Sequence, residues 1–235
     1  RNHLSVPFNN SDGRISIEYR GSSSLSFPKK SFSFETQTDI GLNNNVSLLD
    51  MPAENDWILY GPYSDKSLIR NALAYWMGRK QDRYAPRTRF CEVILNGDYH
   101  GVYMLTEKIK RDKNRVNVGR LSPQDISGNE LTGGYVLKVD RNAQEANEED
   151  FWLSPYPLNF GDAPHVKYVF HHPQYDVIQN AQKQYIEQAV TSFETEMYNS
   201  WFDQPNMAYH DFIDVPSFID FYLVNELSRN VDSYR

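Results

Sequence analysis

The sequence predicts an α+β protein in which a β-rich part precedes a helical part. Two observations carry this prediction. In the first half, apolar and polar residues alternate in short runs separated by glycine, proline and asparagine, a pattern typical of antiparallel strands. In the last third, apolar residues recur every three or four positions, a pattern typical of amphipathic helices. The expected division of the single domain is a β-rich lobe over about residues 1–140 and a helical lobe over 166–235.

Alternating runs give the individual strands. In the stretch RFCEVILNGDYHGVYMLTEKI, two such runs flank an Asn-Gly pair, which is a strong signal for a β-hairpin. The segment 141–165 is acidic, contains proline and lacks periodicity, so we expect an excursion over the surface. The predicted strands cover 14–20, 30–35, 57–60, the two arms of the 89–109 hairpin, and 133–140.

Three helices follow from the spacing of apolar residues. Asp65 precedes KSLIRNALAYWMGRK, whose apolar side chains fall at helical spacing, so Asp65 is the predicted N-cap of a first helix. A long helix is expected over about 174–199, with one continuous apolar stripe. The last helix is expected to begin near Pro216, because proline is favoured in a first helical turn.

The bulk composition excludes several classes of protein. The chain has 235 residues, one cysteine and a net charge of −7. The negative charge argues against a binder of duplex nucleic acid, which needs a concentrated basic surface. One cysteine excludes an internal disulfide or a cysteine-rich zinc site, and the alternation around Cys91 predicts a buried structural thiol. No apolar run reaches the roughly 20 residues that span a bilayer.

The stretch YRGSSSLSFPKKSFSFE, residues 19–35, joins the first two predicted strands through glycine and serines. Lys30 is in phase with Phe32 and Phe34, so its ammonium group is expected on the apolar face, where it needs an anion or must reach past the rim. Backbone N–H groups and hydroxyls in the turn could form an anion-binding nest. A solvated hairpin whose lysine extends into water explains the same residues.

Two further charged residues lie on predicted strands. Glu107 is in phase with Tyr103 and Leu105, so an acid ends an apolar face. It could position a phosphate-binding lysine, as a glutamate does in protein kinases, or could simply emerge where the strand ends. Lys138 shares a face with Val136, which fits either a ligand contact or an ordinary mixed surface.

Polar groups also gather where the last predicted helix stops. Loops at such ends carry catalytic groups on a rigid support. An aspartate there could accept a proton from a substrate hydroxyl, and a nearby asparagine could hold a metal or orient that aspartate. A capped helix end explains the pattern equally well. The residues concerned are Asn225, Glu226, Arg229, Asn230 and Asp232.

Five stretches taken together resemble the CotH kinase family, which is named for spore coat protein H. No single stretch is diagnostic, but their common order and spacing along nearly the whole chain indicate the family. The stretches are YRGSSSLSFPKKSF, WILYGPYSDKSLIRNALAYWMGR, YAPRTRFCEVILNGDYHGVYMLTEKIK, GGYVLKVD and FIDFYLVNELSRNVDSYR.

This resemblance implies an atypical protein-kinase-like fold that transfers the γ-phosphoryl group of ATP to serine or threonine of a protein substrate. Asp232, in NVD, looks like the catalytic aspartate of the family. The hairpin at residues 19–35 looks like the part that faces the nucleotide. The candidate nucleotide-binding residues are Arg20, Ser23, Lys30, Glu107 and Lys138.

The resemblance further implies Mg²⁺ or Mn²⁺, held by an aspartate that follows the NVD stretch in the family. The sequence stops at Arg235, so this ligand is expected beyond residue 235. We therefore expect residues 1–235 to be a C-terminally truncated form of the fold that is weak or inactive as a kinase, because phosphoryl transfer depends on metal.

Two other functions fit the composition. A non-catalytic scaffold or adhesion module on a cell surface would use the acidic charge and the 16 Tyr, 13 Phe and 4 Trp for protein or glycan contacts. A carbohydrate-binding or carbohydrate-active domain rests on the Tyr and Trp content alone. The resemblance suggests a cell-envelope or extracellular location, by analogy with the family.

Overall fold

The computed structural model describes residues 11–139, 151–157, 164–199 and 208–233. The chain divides into two compact units, unit 1 over Arg1–Ile109 and unit 2 over Lys110–Arg235. Both strands and helices are present, so the predicted α+β class is confirmed. Each unit is described here by itself.

Unit 1 is a five-stranded antiparallel sheet with one helix. The strand order is β1-β2-β3-β5-β4, so β1 and β4 form the two edges. The helix α1 lies in sequence between β3 and β4. The elements are β1 Arg14–Arg20, β2 Ser31–Gln37, β3 Asp56–Tyr60, α1 Arg70–Lys80, β4 Thr88–Leu95 and β5 Asp98–Glu107.

The predicted β4–β5 hairpin is confirmed. Asn96 and Gly97 form its turn with φ values of 53° and 88°. Positive φ at both central residues matches the right-handed twist of the flanking strands, and asparagine and glycine tolerate it best. The first predicted strand is also confirmed, but β1 is exposed along its length, with Tyr19 at 65%. Its position at a sheet edge explains why it is not half-buried.

The core of unit 1 lies on one face of the sheet, the core face. Phe34 on β2, Trp57 on β3 and Glu107 on β5 are paired across three neighbouring strands, so their side chains share this face. Phe34, Trp57 and Leu105 pack with Met51, which comes from the connection between β2 and β3. Half-buried Cys91 packs against this cluster, and burial raises the pKa of its thiol, consistent with a structural role.

The helix α1 begins at Arg70, five residues after its predicted cap. Leu68 has φ 65°, which breaks the helical run, while Asp65 accepts the Arg70 N–H at 2.9 Å. Asp65 thus caps the helix from outside it. The predicted apolar stripe is exposed, with Ile69 at 50% and Trp76 at 49%. Helical spacing located the helix, but the apolar side chains that it predicts to be buried are not buried.

Unit 2 combines a three-stranded antiparallel sheet with two helices. The strand order is β6-β8-β7. Within the described residues, no helix is both long and apolar enough to cross a membrane. The elements are β6 Val136–Val139, β7 Phe151–Pro157, β8 His165–His172, α2 Asn180–Asn199 and α3 Val215–Ser228.

Strand β7 corrects the interpretation of 141–165 as an irregular surface excursion. Phe151–Pro157 pairs with β8. The Trp152 ring stacks on Tyr168 with ring centroids 5.1 Å apart and packs at a tilt against Phe170 with ring centroids 5.0 Å apart. Aromatic contacts between strands supply stability that the local sequence does not reveal. The remainder of that segment, 141–150 and 158–163, lies outside the described residues.

The helix α2 begins at Asn180, later than the predicted start at about 174. Gln182, in the first turn of α2, is fully buried and forms hydrogen bonds to the residue before the helix and to a distant loop. Its side-chain oxygen accepts the Gln179 N–H at 3.0 Å, and its nitrogen donates to the carbonyls of Ser122 and Asp125 at 2.8 and 3.0 Å. The predicted start of α3 near Pro216 is confirmed.

Candidate functional site

The loop between β1 and β2, residues 21–30, is the first candidate region, and we call it the serine loop. It contains a short 3-10 helix at Ser23–Ser26. Gly21 has φ 121°, and a Cβ atom there would lie 2.0 Å from the Ser24 hydroxyl oxygen. Glycine is therefore required at the start of this loop. Ser23 is exposed, and Ser26 donates to the Ser23 carbonyl at 2.7 Å.

Lys30 closes the serine loop upon itself. Its ammonium group donates to the Leu25 carbonyl at 2.5 Å. The strand-phase argument predicted Lys30 on the apolar face, but Lys29 occupies that position, with its ammonium 4.4 Å from the Tyr103 ring centroid and 3.0 Å from the His100 carbonyl. The reason is that β2 begins only at Ser31, so strand alternation does not extend to the lysines. Burial lowers the pKa of Lys29.

The serine loop is anchored on the segment that follows β3. Phe27 stacks on Tyr63 with ring centroids 5.2 Å apart. The Ser31 hydroxyl accepts the Gly61 N–H at 3.0 Å, and a Cβ at Gly61 would approach the Lys30 carbonyl to 2.8 Å. These contacts hold the base of the loop, so its exposed hydroxyls lie on a fixed support.

Arg20 ends β1 directly before the serine loop. Burial raises the pKa of the Tyr75 phenol on α1, and the positive charge of Arg20 opposes that rise. Arg20 and Lys30 thus flank the serine loop at its two ends. Two cations, exposed hydroxyls and a glycine that admits no Cβ fit the binding of a phosphate group.

Glu107 lies on the core face with Tyr103 and Leu105, as its phase predicted. Its side chain is fully buried, and its partner is Arg87, whose guanidinium donates to one carboxylate oxygen at 2.7 Å and whose backbone N–H donates to the other at 2.8 Å. Glu107 lies in the same cross-strand row as Phe34, two strands away from it, which is about 10 Å across the sheet. Phe34 is itself three residues, about 10 Å along β2, from Ser31 at the end of the serine loop. Glu107 does not meet the serine loop.

Sequence reasoning missed the cationic cluster around Glu107. Arg79, at the end of α1, donates to the carbonyls of Ala85 and Pro86. Burial lowers the pKa of Arg79, and the nearby charge of Arg87 lowers it further, while Glu107 opposes both effects. In the sequence, Arg79 indicates only a basic group that complements the helix dipole, and the influence of the distant Glu107 on it leaves no local signal.

A polar groove on the opposite face of the sheet was also missed. Its lining includes Ser16, Glu18, Ser33, Glu35 and Lys108. The Ser33 hydroxyl donates to Glu18 at 2.8 Å, and Lys108 forms an ion pair of 3.4 Å with Asp56. The polar positions of an alternating strand predict a solvated face, and nothing in that pattern distinguishes a groove from a flat surface.

In unit 2, the two predicted site residues lie on different elements. Lys138 is exposed on β6, where it pairs with Val169 of β8. Asp232 is exposed in the turn that follows α3. Arg229 ends α3 in the left-handed region at φ 51°, and the Asp232 N–H donates to the Asn230 side-chain oxygen at 3.4 Å. The aspartate therefore sits on an ordered turn at a helix end.

Among the described residues, no group of three or more histidine, cysteine, aspartate or glutamate side chains is placed to hold a metal ion. Asp232 can contribute a carboxylate, but the part of the chain that the structure describes does not complete a metal site around it.

Comparison with known protein families matches residues 17–235 to a family described as CotH kinase protein. The matched range includes the serine loop and extends through the turn that carries Asp232. No curated protein matches the chain significantly.

Proposed function

The chain belongs to the CotH kinase protein family, and from this premise we propose that it is a protein kinase that transfers the γ-phosphoryl group of ATP to serine or threonine of a protein substrate. The observation that carries the proposal is the family match over 17–235, which spans both the cation-flanked serine loop and the aspartate after α3. Together these supply candidate groups for binding phosphate and for accepting a proton.

The order of elements in unit 1 supports a kinase-like fold. In protein kinases, a glycine-rich loop covers the phosphates, a lysine on the third strand contacts them, and a glutamate on the following helix pairs with that lysine. Unit 1 has a glycine-bearing loop between its first two strands, then a third strand, then a helix. The serine loop occupies the position of the glycine-rich loop in this order.

Unit 1 differs from protein kinases in the residues that these elements carry. Strand β3, DWILY, carries no lysine, and α1, RNALAYWMGRK, carries no acidic residue. The lysine–glutamate pair of protein kinases is therefore absent from its usual elements. In our proposal the phosphate-binding cations come instead from the ends of the serine loop, Arg20 and Lys30.

The proposed nucleotide site uses the residues of the serine loop directly. Arg20 and Lys30 pair with phosphate oxygens, and Ser23 donates its exposed hydroxyl. Lys30 exchanges the Leu25 carbonyl, its partner at 2.5 Å, for the phosphate. Glu107 is fully buried and holds Arg87, and exposed Lys138 of unit 2 stays a separate proposed nucleotide-binding residue.

Asp232 is the proposed general base. It is exposed, and its turn is ordered by hydrogen bonds to Asn230. Its carboxylate orients the serine or threonine hydroxyl of the acceptor and takes its proton while the phosphoryl group is transferred. Mg²⁺ or Mn²⁺ would neutralise charge on the phosphates.

The proposal is tested by Asp232→Asn in the full-length protein. Loss of the base is expected to lower the rate of protein phosphorylation by at least about two decades, because general-base catalysis is worth roughly 10²–10⁴. The measurement is phosphate incorporation from ATP into a pooled library of serine- and threonine-containing peptides. Asp211→Asn, which changes an exposed aspartate before α3, is the control and should keep full activity. Full activity of Asp232→Asn at an unchanged melting temperature would reject this assignment.

A non-catalytic scaffold is the second candidate. The observation that favours it is the exposure of large apolar side chains on α3, including Phe218 at 51%, Phe221 at 56% and Tyr222 at 54%. Such a surface suits protein contacts. A full-length protein that folds but neither binds ATP nor transfers phosphate would favour this function.

A further inference from the structure

The buried residue of α3 is polar. Asn225 is 7% exposed, whereas the neighbouring apolar residues Leu223 and Leu227 are 44% and 71% exposed. All of α3 is described, and Asn225 is its one buried position. Burying an amide costs free energy unless both its donor and its acceptor are hydrogen-bonded. The contacts of this amide therefore indicate why it is buried.

Both ends of the Asn225 amide are satisfied. Its nitrogen donates to the Phe221 carbonyl at 2.8 Å, one turn earlier in the helix. Its oxygen accepts from the side-chain nitrogen of Asn230 at 2.9 Å. The first bond orients the amide, and the second reaches beyond the helix to the turn that carries Asp232.

Asn230 extends this connection through the turn. Its backbone N–H donates to the Asn225 carbonyl at 3.0 Å, and its side-chain oxygen accepts the Asp232 N–H at 3.4 Å. The Ser233 hydroxyl donates to the Asn230 carbonyl at 2.8 Å. The Asp232 N–H and the Ser233 hydroxyl are thus both tied to Asn230, which is itself tied to Asn225.

The backbone of the same turn is also tied to the end of α3. Arg229 has φ 51° and ψ 48°, the left-handed conformation with which helices commonly end. Its N–H donates to the Asn225 and Glu226 carbonyls. The Asn225 carbonyl therefore accepts from the backbone of both Arg229 and Asn230.

We propose that Asn225 and Asn230 are positioning residues, which fix the turn after α3 and so set the direction in which the Asp232 carboxylate points. This inference rests on the proposed function, in which Asp232 is the general base. Neither amide contacts the substrate. They act by holding the Asp232 backbone, because a small misplacement of a catalytic group can cost about a hundredfold in rate.

Two variants test the proposal in the full-length protein. Asn225→Leu keeps the branching of the side chain at Cγ but is larger, and it removes the amide, while leucine favours helix more than asparagine does. Asn230→Ala removes the other amide. The matched control is Ser217→Ala, which removes a hydrogen bond of 2.7 Å to the Asp214 carbonyl at the opposite end of α3.

Hydrogen exchange and kinetics are measured on each variant. Amide exchange at Asp232 and Ser233, followed by NMR, should accelerate at least about tenfold in Asn225→Leu and Asn230→Ala, but not in Ser217→Ala. With ATP, Mn²⁺ and the pooled peptides, kcat should fall between about tenfold and a hundredfold while KM for ATP stays within about twofold. Partial unfolding would also lower the apparent kcat at an unchanged KM, so kcat is normalised to the folded fraction of each variant, and the selective acceleration of exchange at Asp232 and Ser233 distinguishes positioning from loss of stability.

The outcomes separate this inference from the proposed function. Unchanged exchange at Asp232 and unchanged kcat in a folded Asn225→Leu variant would overturn the positioning role while leaving the kinase proposal intact. A wild-type protein that transfers no phosphate would overturn the kinase proposal, and the exchange measurement would still decide whether the two amides order the turn.

Discussion

At the scale of single residues, the two lysines of the serine loop illustrate how a one-residue shift changes a chemical role. Lys29 covers the Tyr103 ring and contacts a backbone carbonyl, whereas Lys30 turns into its own loop toward Leu25. Covering an aromatic ring stabilises the folded unit, while a lysine held by one carbonyl can change its partner. The proposed phosphate contact is therefore Lys30, although it is not the lysine on the core face.

Gly21 gives a residue-scale prediction. Gly21→Ala combines an unfavourable φ of 121° with a clash against Ser24, whereas Gly41→Ala, at φ 81°, meets no atom within 4 Å. Both changes should cost about 1 kcal/mol through the backbone, and Gly21→Ala should cost clearly more. Chemical denaturation of the two variants measures the difference. Adding Ser24→Ala should narrow the gap, and equal losses in the two single variants would contradict the clash.

The Arg87–Glu107 pair gives a second residue-scale prediction. Glu107→Ala should lower the free energy of unfolding by about 2–3 kcal/mol, because it leaves Arg87 donors without their acceptor and opens a cavity on the core face. This loss of unfolding free energy is smaller than for a fully buried ion pair, because the Arg87 side chain is 36% exposed and can reach water. Urea denaturation provides the measurement. Glu92→Ala, an exposed acid on β4, is the control and should lose much less.

At the scale of elements, helix α1 depends on a cap outside the helix. Burial alone would raise the pKa of Asp65, but hydrogen bonds from the Ser67 hydroxyl and from the Arg70 and Ser67 N–H groups outweigh it, and the charge of Arg70 adds to them. The net result is a pKa below the ordinary value of 3.8. The ionised carboxylate therefore stabilises the beginning of α1.

This cap predicts a pH dependence. Because the folded pKa of Asp65 is depressed, its stabilisation is fully present above the unfolded pKa of about 3.9 and is lost as pH falls through the folded value. Asp65→Asn should remove this part of the acid dependence of the melting temperature, measured between pH 2 and 6. Asp39→Asn, in the exposed turn after β2, is the control. An unaltered acid profile in Asp65→Asn would show that the carboxylate does not stabilise the helix through its charge.

At the scale of the whole molecule, the proposed function predicts stabilisation by nucleotide. ATP with Mn²⁺ at about 100 times its dissociation constant should stabilise the full-length protein by about 2.7 kcal/mol. For a chain of this size, that corresponds to a rise in melting temperature of about 5–10 °C. Lys30→Ala should reduce the rise, whereas Asp232→Asn should retain it, since the general base does not bind the nucleotide. No rise in any of these folded proteins would direct attention to the scaffold function.

The sequence by itself determined the α+β class, most element positions and the phase of Glu107, because alternation, helical spacing and an Asn-Gly turn are local properties of the chain. The resemblance in five stretches led to the family that the match over 17–235 confirms. The same local rules failed where partners were distant. Strand β7 depends on pairing with β8 and on the aromatic contacts of Trp152 with Tyr168 and Phe170.

Only the tertiary structure decided which groups meet. It paired Glu107 with Arg87 and placed Lys29 on the core face. It also left the apolar stripe of α1 exposed, and on α3 it buried the polar Asn225 while neighbouring apolar side chains are exposed. Each of these outcomes depends on contacts between residues that are far apart in sequence or on different turns of the chain. Side-chain pairing of this kind is set by packing and desolvation in three dimensions, for which a linear pattern carries no signal.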